Sequence, residues 1–266
     1  MTDITLNPDK VLIFDIKGQI AHFRKYYTNS SSLTYTFPPR TVIIGLIAGI
    51  LGLPNEHSEN DGNIYYEIFN DKNCKITVSL RRNVRKVMQT VNYTFTKTTG
   101  KKIDFSKPSQ IPLELIFSED NFKEIVYRIY FYYRDDMDNK FYHELKKRLE
   151  DQRFIYPPYL GLTEFLASIN YIGEGKLTEI DKNEIEINSI CKLADVEPVF
   201  ENNDAQYLIE KMPTGFSNER IPKRTQDYIF EMKNKLMKIN LKEQSSGYHV
   251  NYSENECKIV ENIMFM

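Results

Sequence analysis

The run Ala21-His-Phe-Arg-Lys-Tyr-Tyr27 sets a histidine beside two cations and two phenol rings. A histidine next to a backbone-binding cation is a minimal set for metal-free proton transfer at a phosphodiester. Nowhere else in the chain is such a set local in sequence. A lone histidine in a polar loop is more often a hydrogen-bonded structural residue, and His22 is read that way first. Its neighbours fit a second chemistry. Arg24 and Lys25 can neutralise phosphates, and Tyr26 and Tyr27 offer faces on which bases stack.

A longer basic stretch follows. Between Arg81 and Lys107 stand eight Lys/Arg and one acid, Asp104. The cations are Arg81, Arg82, Arg85, Lys86, Lys97, Lys101, Lys102 and Lys107, with Tyr93 and Phe95 among them. The plain reading is a solvated hairpin whose charges keep a strand edge from pairing. Solvated faces usually mix signs, so the near absence of carboxylates favours an anion-binding reading.

Other chemistries find little support. His22, His57, His143 and His249 are dispersed, and no zinc-type spacing occurs. Asp135, Asp136 and Asp138 cluster before a helical stripe, where caps and solvated charge are the ordinary role. Nucleotide-cofactor and acyl-transfer fingerprints are missing, so neither a cofactor, a metal nor a small-molecule substrate is expected. Cys74, Cys191 and Cys257 have no redox or ligand spacing and fit a reducing compartment. The first ten residues do not read as a signal peptide, and the apolar run over residues 42–51 is too short to span a bilayer. A soluble cytoplasmic protein is expected. The net charge of −2 argues for no particular partner, but residues 1–107 carry 15 Lys/Arg against 9 Asp/Glu, and the remainder is acidic.

The elements that must position these residues can be read in outline. Lys10–Ile16 is apolar on both faces at its centre and predicts a central strand closed by Gly18. Pro38 and Pro39 precede a helix from Arg40 to about Leu53 that has no polar face and so must be buried. Gly45, Gly49 and Gly52 share one side of it, for close packing against the sheet. Arg40 sits at the helix mouth, where amides and dipole favour an anion. Strands are expected at 76–80 and 124–133, with a projecting strand pair over about 81–117. Phe141, Leu145 and Leu149 form a helical stripe. Tyr156-Pro-Pro-Tyr-Leu-Gly161 is a loop, and beyond it short strands follow, ending in a hairpin over 248–263. Residues 227–241 read as a helix by length. The predicted class is α+β. A ferredoxin-like (RRM-like) part over 1–155 carries the hairpin, and a small β-rich part covers 156–266.

Several of these segments together resemble a known family. They are Lys10–Ile16, Gly18, Ala21-His-Phe-Arg24, Thr28-Asn-Ser30, Thr34-Tyr-Thr-Phe-Pro-Pro-Arg-Thr41 and Gly45-Leu-Ile-Ala-Gly-Ile-Leu-Gly52. They are similar to the N-terminus of CRISPR-associated protein 5, and Tyr156–Gly161 resembles a second landmark of it. The resemblance implies a subunit of a type I CRISPR surveillance complex, Cascade, of the I-B branch, serving antiviral defence. Such members hold the 5′ handle of the crRNA and contact the large subunit and the first backbone subunit. A thumb-like hairpin projects from the sheet, and residues 81–117 are its counterpart. One branch, I-C, cleaves precursor crRNA with a tyrosine and an adjacent lysine and histidine. This sequence has no Lys-His pair, and Lys101-Lys102 stand without a histidine. The expectation is therefore a non-enzymatic RNA-binding subunit, with a metal-independent endoribonuclease or an RNA-free scaffold as alternatives. The expected RNA contacts are Arg24, Lys25, Tyr26, Tyr27, Arg40, Arg81, Arg82, Arg85, Lys86, Lys97, Lys101 and Lys102.

Overall fold

A computed structural model describes residues 11–54, 65–94, 108–134, 140–200, 205–216 and 221–266. The chain is α+β, as expected, and strands dominate it. The first half contains β1 (Val11–Gly18), β2 (Phe23–Arg24), β3 (Thr34–Tyr35), α1 (Arg40–Leu51), α2 (Tyr65–Ile68) and β4 (Cys74–Leu80). It continues through β5 (Val84–Thr94), β6 (Pro108–Ser118), β7 (Ile125–Tyr133) and α3 (Lys140–Asp151). The second half is strands: β8 (Ser168–Glu179), β9 (Glu184–Ile187), β10 (Cys191–Lys192), β11 (Val196–Pro198) and β12 (Tyr207–Phe216). It ends with β13 (Pro222–Glu231), β14 (Met237–Leu241), β15 (Tyr248–Glu254) and β16 (Cys257–Ile263).

The principal sheet has the order β16-β15-β8-β1-β7-β4, and every neighbouring pair is antiparallel. β1 lies inside it, as its continuous apolar run required. Side chains alternate across the sheet. Leu12, Phe14 and Ile16 of β1 join Tyr127, Ile129 and Phe131 of β7 under α1 and α3. Val11 and Ile13 face the other way with Tyr130 and Tyr132, and there Val250, Tyr252 and Ile263 of the terminal hairpin cover them. The hairpin over 248–263 is thus present, and it closes the sheet face that an RNA-recognition sheet would leave open.

Arg128 of β7 is buried on that covered face. Its guanidinium binds Asp15 at 2.7 and 3.1 Å, Glu254 at 2.8 and 2.9 Å and the Tyr252 hydroxyl at 2.6 Å. Beside it Glu261 accepts from Arg81, Tyr130 and Tyr252. Burial pushes the Glu261 carboxyl up, but the charge of Arg81 and these hydrogen bonds outweigh it and hold its pKa below the ordinary value.

α1 ends at Gly52, whose φ of 70° is the left-handed cap that glycine adopts without strain. Gly49 and Gly52 of α1 face the 155–156 segment and Gly45 faces the Tyr65 hydroxyl, so the glycine side does not pack on the sheet. A Cβ at Gly52 would lie 2.9 Å from Ile155 side-chain atoms. The amides of Ile155 and Tyr156 donate to the carbonyls of Ile50 and Gly49, both at 3.2 Å. Both carbonyls belong to the last turn; Gly49 O also accepts the Gly52 amide at 3.2 Å, and the glycines let a second stretch of backbone come close enough to reach them.

Two expectations are corrected. Residues 227–241 are not a helix: they hold the end of β13, a turn with Asn234 at φ 52°, and β14. The turn breaks the apolar run into pieces of strand length, which length alone concealed. The split at residue 155 also fails as a boundary in the sheet, because β8, β15 and β16 extend the strands of the first part. Ile190, Met212, Tyr228 and Phe230 join the main core as well. A second, smaller core gathers Ile185, Ile187, Val196, Ile229 and Ile239.

Candidate nucleic-acid interface

β5 and β6 form a separate two-stranded ribbon, in register from Val84↔Ser118 to Thr94↔Pro108. This is the long strand pair read from the sequence. The basic-aromatic loop lies along the β6 side of it. Ala21 and Ile116 exchange backbone hydrogen bonds at 3.1 and 2.9 Å. Ser32 donates to Pro112 O at 2.8 Å, and Glu114 N donates to Ser32 O at 2.9 Å. Pro112 has no amide to offer, but its carbonyl and the groups around it serve the loop.

His22 is spent in this anchoring. It is buried, with Nδ1 2.7 Å from Glu114 O and Nε2 2.9 Å from Ser32 Oγ. Burial lowers its pKa below the ordinary 6.5, so the neutral ring is favoured. With Nδ1 donating to the carbonyl, Nε2 is the acceptor of the Ser32 hydroxyl.

The turn that follows is exposed. Tyr26 is 43% and Tyr27 52% exposed, with their rings edge to face at 5.1 Å. Arg24 is exposed and donates to Thr28 O at 3.3 Å. Lys25 turns inward instead. Its Nζ lies 5.6 Å from the Tyr35 ring centre and 3.3 Å from Glu210 Oε1. Lys86 of β5 reaches the same oxygen at 2.9 Å and donates to Thr34 O at 2.9 Å. Glu210 is 7% exposed, and it also accepts from Thr36 N at 2.8 Å and Thr36 Oγ1 at 3.2 Å.

The other expected cations divide by exposure. Arg82 and Arg85 are exposed at the ribbon base. Arg82 donates to Glu124 O at 3.1 Å, and Arg85 to Asn121 Oδ1 at 2.6 Å. Arg81 points the other way, into the ion pair with Glu261. Arg40 corrects an expectation. It is only 3% exposed, and its guanidinium donates to Phe69 O at 2.8 Å and pairs with Asp71 at 3.2 Å. From the first turn of α1 its side chain runs inward and ties the helix to the 69–74 turn, so it presents no charge at the helix mouth. Lys97, Lys101 and Lys102 lie outside the described residues. Among the described residues no group of His, Cys, Asp and Glu could hold a metal, and no helix is long and apolar enough to cross a membrane.

The second landmark loop packs on the first. His22 N donates to Leu160 O at 3.0 Å, and Gly161 has φ 93°. A Cβ at Gly161 would stand 1.8 Å from His22 O, so only glycine fits there. The residues missed from sequence are Glu114 and Glu210. Glu210 did carry a signal: in β12 it occupies an inward position between Leu208 and Met212, where an acid must find partners.

Several solved structures are similar at low identity. One titled "CRISPR RNA-guided surveillance complex" aligns with TM-score 0.48 and 12% identity, over 84% of this chain and 90% of its own. A Type III-B Cmr-beta bound to cognate target RNA and AMPPnP aligns with TM-score 0.45 and 13% identity, over 85% and 86%. A functionally uncharacterized protein from Streptococcus mutans aligns with TM-score 0.39 and 14% identity, over 97% and 100%. No curated protein matches the chain. The family model described as CRISPR-associated protein (Cas_Cas5) matches residues 11–229, a span that takes in the turn, α1 and the ribbon, and the chain belongs to that family.

Proposed function

We propose that the chain is a non-catalytic subunit of a type I CRISPR surveillance complex, Cascade, and that it holds the 5′ handle of the crRNA. The observation that carries this reading is the turn at 24–27. It is basic, doubly aromatic and exposed, yet fixed on a ribbon whose base bears two more exposed arginines. A positively charged track with stacking faces is what a single strand requires. Phosphate contacts fall to Arg24, Arg82 and Arg85, and base stacking to Tyr26 and Tyr27. The strand order β8-β1-β7-β4, with α1 and α3 on one face, supports a ferredoxin-like reading of that part, with β5–β6 as its thumb. The backbone and large subunits are the expected protein partners, in the cytoplasm, with the I-B branch as the expected subtype. The use of both His22 nitrogens in anchoring supports the non-enzymatic reading.

The test is incubation of the purified chain with labelled precursor crRNA in EDTA, following retention and cleavage together. Saturable, salt-sensitive binding without a cut is expected. A cut at the repeat that His22→Ala or Tyr26→Phe abolishes would replace this reading with an endoribonuclease. Binding that is absent, or indifferent to charge reversal at Arg82 and Arg85, would leave a protein-only scaffold.

A further inference from the structure

We infer that Glu210, a carboxylate from the C-terminal half, is a positioning residue for the exposed 24–27 turn. The inference rests on the RNA-binding reading of that turn. A buried carboxylate beside a basic surface is costly on its own and works against an incoming phosphate. Both oxygens of the Glu210 carboxylate are engaged. Oε2 accepts the Thr36 amide at 2.8 Å, and Oε1 receives Lys86 at 2.9 Å, Lys25 at 3.3 Å and the Thr36 hydroxyl at 3.2 Å. Three separate elements meet there: the loop from β2 to α1, the base of the ribbon, and β12. Lys25 is one residue from Tyr26, so its inward anchoring fixes the side from which Tyr26 and Tyr27 emerge. The loop has a second fastening at Glu114, whose Oε2 accepts Thr34 N at 2.9 Å. Glu114 belongs to the ribbon, so it fixes the loop to the ribbon, and Glu210 fixes both to the body.

Charge and position predict opposite signs. If Glu210 acted only as a negative charge near RNA, Glu210→Gln would tighten binding. As a positioning residue its removal weakens binding, by about tenfold for a coupled cluster of this kind. A glutamine cannot replace it: in one orientation its NH₂ would face the Thr36 amide, in the other Lys25, Lys86 and the Thr36 hydroxyl. The experiment uses the full chain with a fluorescent single-stranded handle RNA, together with amide hydrogen exchange over residues 24–36. Thr36→Val, which removes one bond to Glu210 from the loop side, serves as a second variant. Faster exchange in the loop and weaker RNA binding are expected in both variants, with an unchanged salt slope for Thr36→Val, which leaves the carboxylate in place. Unchanged exchange overturns the inference. So does faster exchange with RNA affinity equal to or above wild type, provided that Tyr27→Ala weakens binding. Failure of the wild-type chain to bind the RNA sinks the functional reading instead, and exchange still reports whether Glu210 holds the loop.

Discussion

Formal charge is a poor guide to which cations of this chain meet phosphate, and salt dependence can separate them. Arg24, Arg82 and Arg85 donate to neutral acceptors: the carbonyls of Thr28 and Glu124 and the side-chain amide of Asn121. Those bonds leave their charge intact. Lys25 and Lys86 share the Glu210 carboxylate, so their charge is already partly cancelled. Each phosphate contact on a single strand contributes about 0.7 to the slope of log K against log salt. Replacing the three arginines together by glutamine is therefore expected to lower the slope by about 2. Across a rise from about 50 to 200 mM salt, the triple variant should lose about 15-fold less affinity than wild type, from a weaker start. Lys25→Gln with Lys86→Gln should weaken binding at low salt, because the turn loosens. Its slope should stay within about 0.3 of wild type. Fluorescence anisotropy with single-stranded handle RNA reads both quantities. A lysine pair that flattens the slope as much as the arginines, or an arginine triple that leaves it unchanged, would refute the division.

Further outcomes follow from the interior. Arg128→Met leaves Asp15 and Glu254 facing each other without their cation and should cost about 3–5 kcal/mol in urea unfolding. The folded His22 pKa lies below the unfolded 6.5, so its contribution to stability is complete above that value and falls as pH drops through 6.5 toward the folded pKa. NMR titration of the imidazole and melting between about pH 7 and 5 should show the loss, and a variant lacking the imidazole should not. The depressed Glu261 carboxyl behaves in the same sense at lower pH: its stabilisation is present above 4.5 and fades below, and Arg81→Gln should shrink it. Gly161→Ala cannot be accommodated at φ 93° with His22 O in the way, and a loss of more than about 3 kcal/mol or outright misfolding is expected by thermal melting.

What could be read from sequence was set by local physics. β1 announced itself because a strand buried on both faces needs an unbroken apolar run, and α1 because Pro39 and Gly52 punctuate a helix with no polar side. The ribbon and the terminal hairpin follow from alternation and turns. The direction of a charged side chain is not local. Arg40 stands where a helix dipole favours an anion, yet the carbonyls of the 69–74 turn claim it. Lys25 and Lys86 looked equivalent to Arg24 and Arg85 until an acid more than a hundred residues away paired with them. The glycine side of α1 was legible as a close contact, but its partner, the 155–156 backbone, was not.

The failure of a boundary at residue 155 has the same origin and a functional consequence. A chain ending there would strip β8 from β1 and leave one side of the central strand unpaired. Val11, Ile13, Tyr130 and Tyr132 would lose the hairpin that covers them. Arg128 would keep Asp15 but lose Glu254 and Tyr252, and Arg81 would lose Glu261. Lys25, Lys86 and Thr36 would lose Glu210 at the turn itself. The acidic C-terminal half is therefore not a solvated appendage to a basic RNA-binding unit. Its acids hold Lys25, Lys86, Arg81 and Arg128 inward, while Arg24, Arg82 and Arg85 stay exposed beside the turn and at the ribbon base.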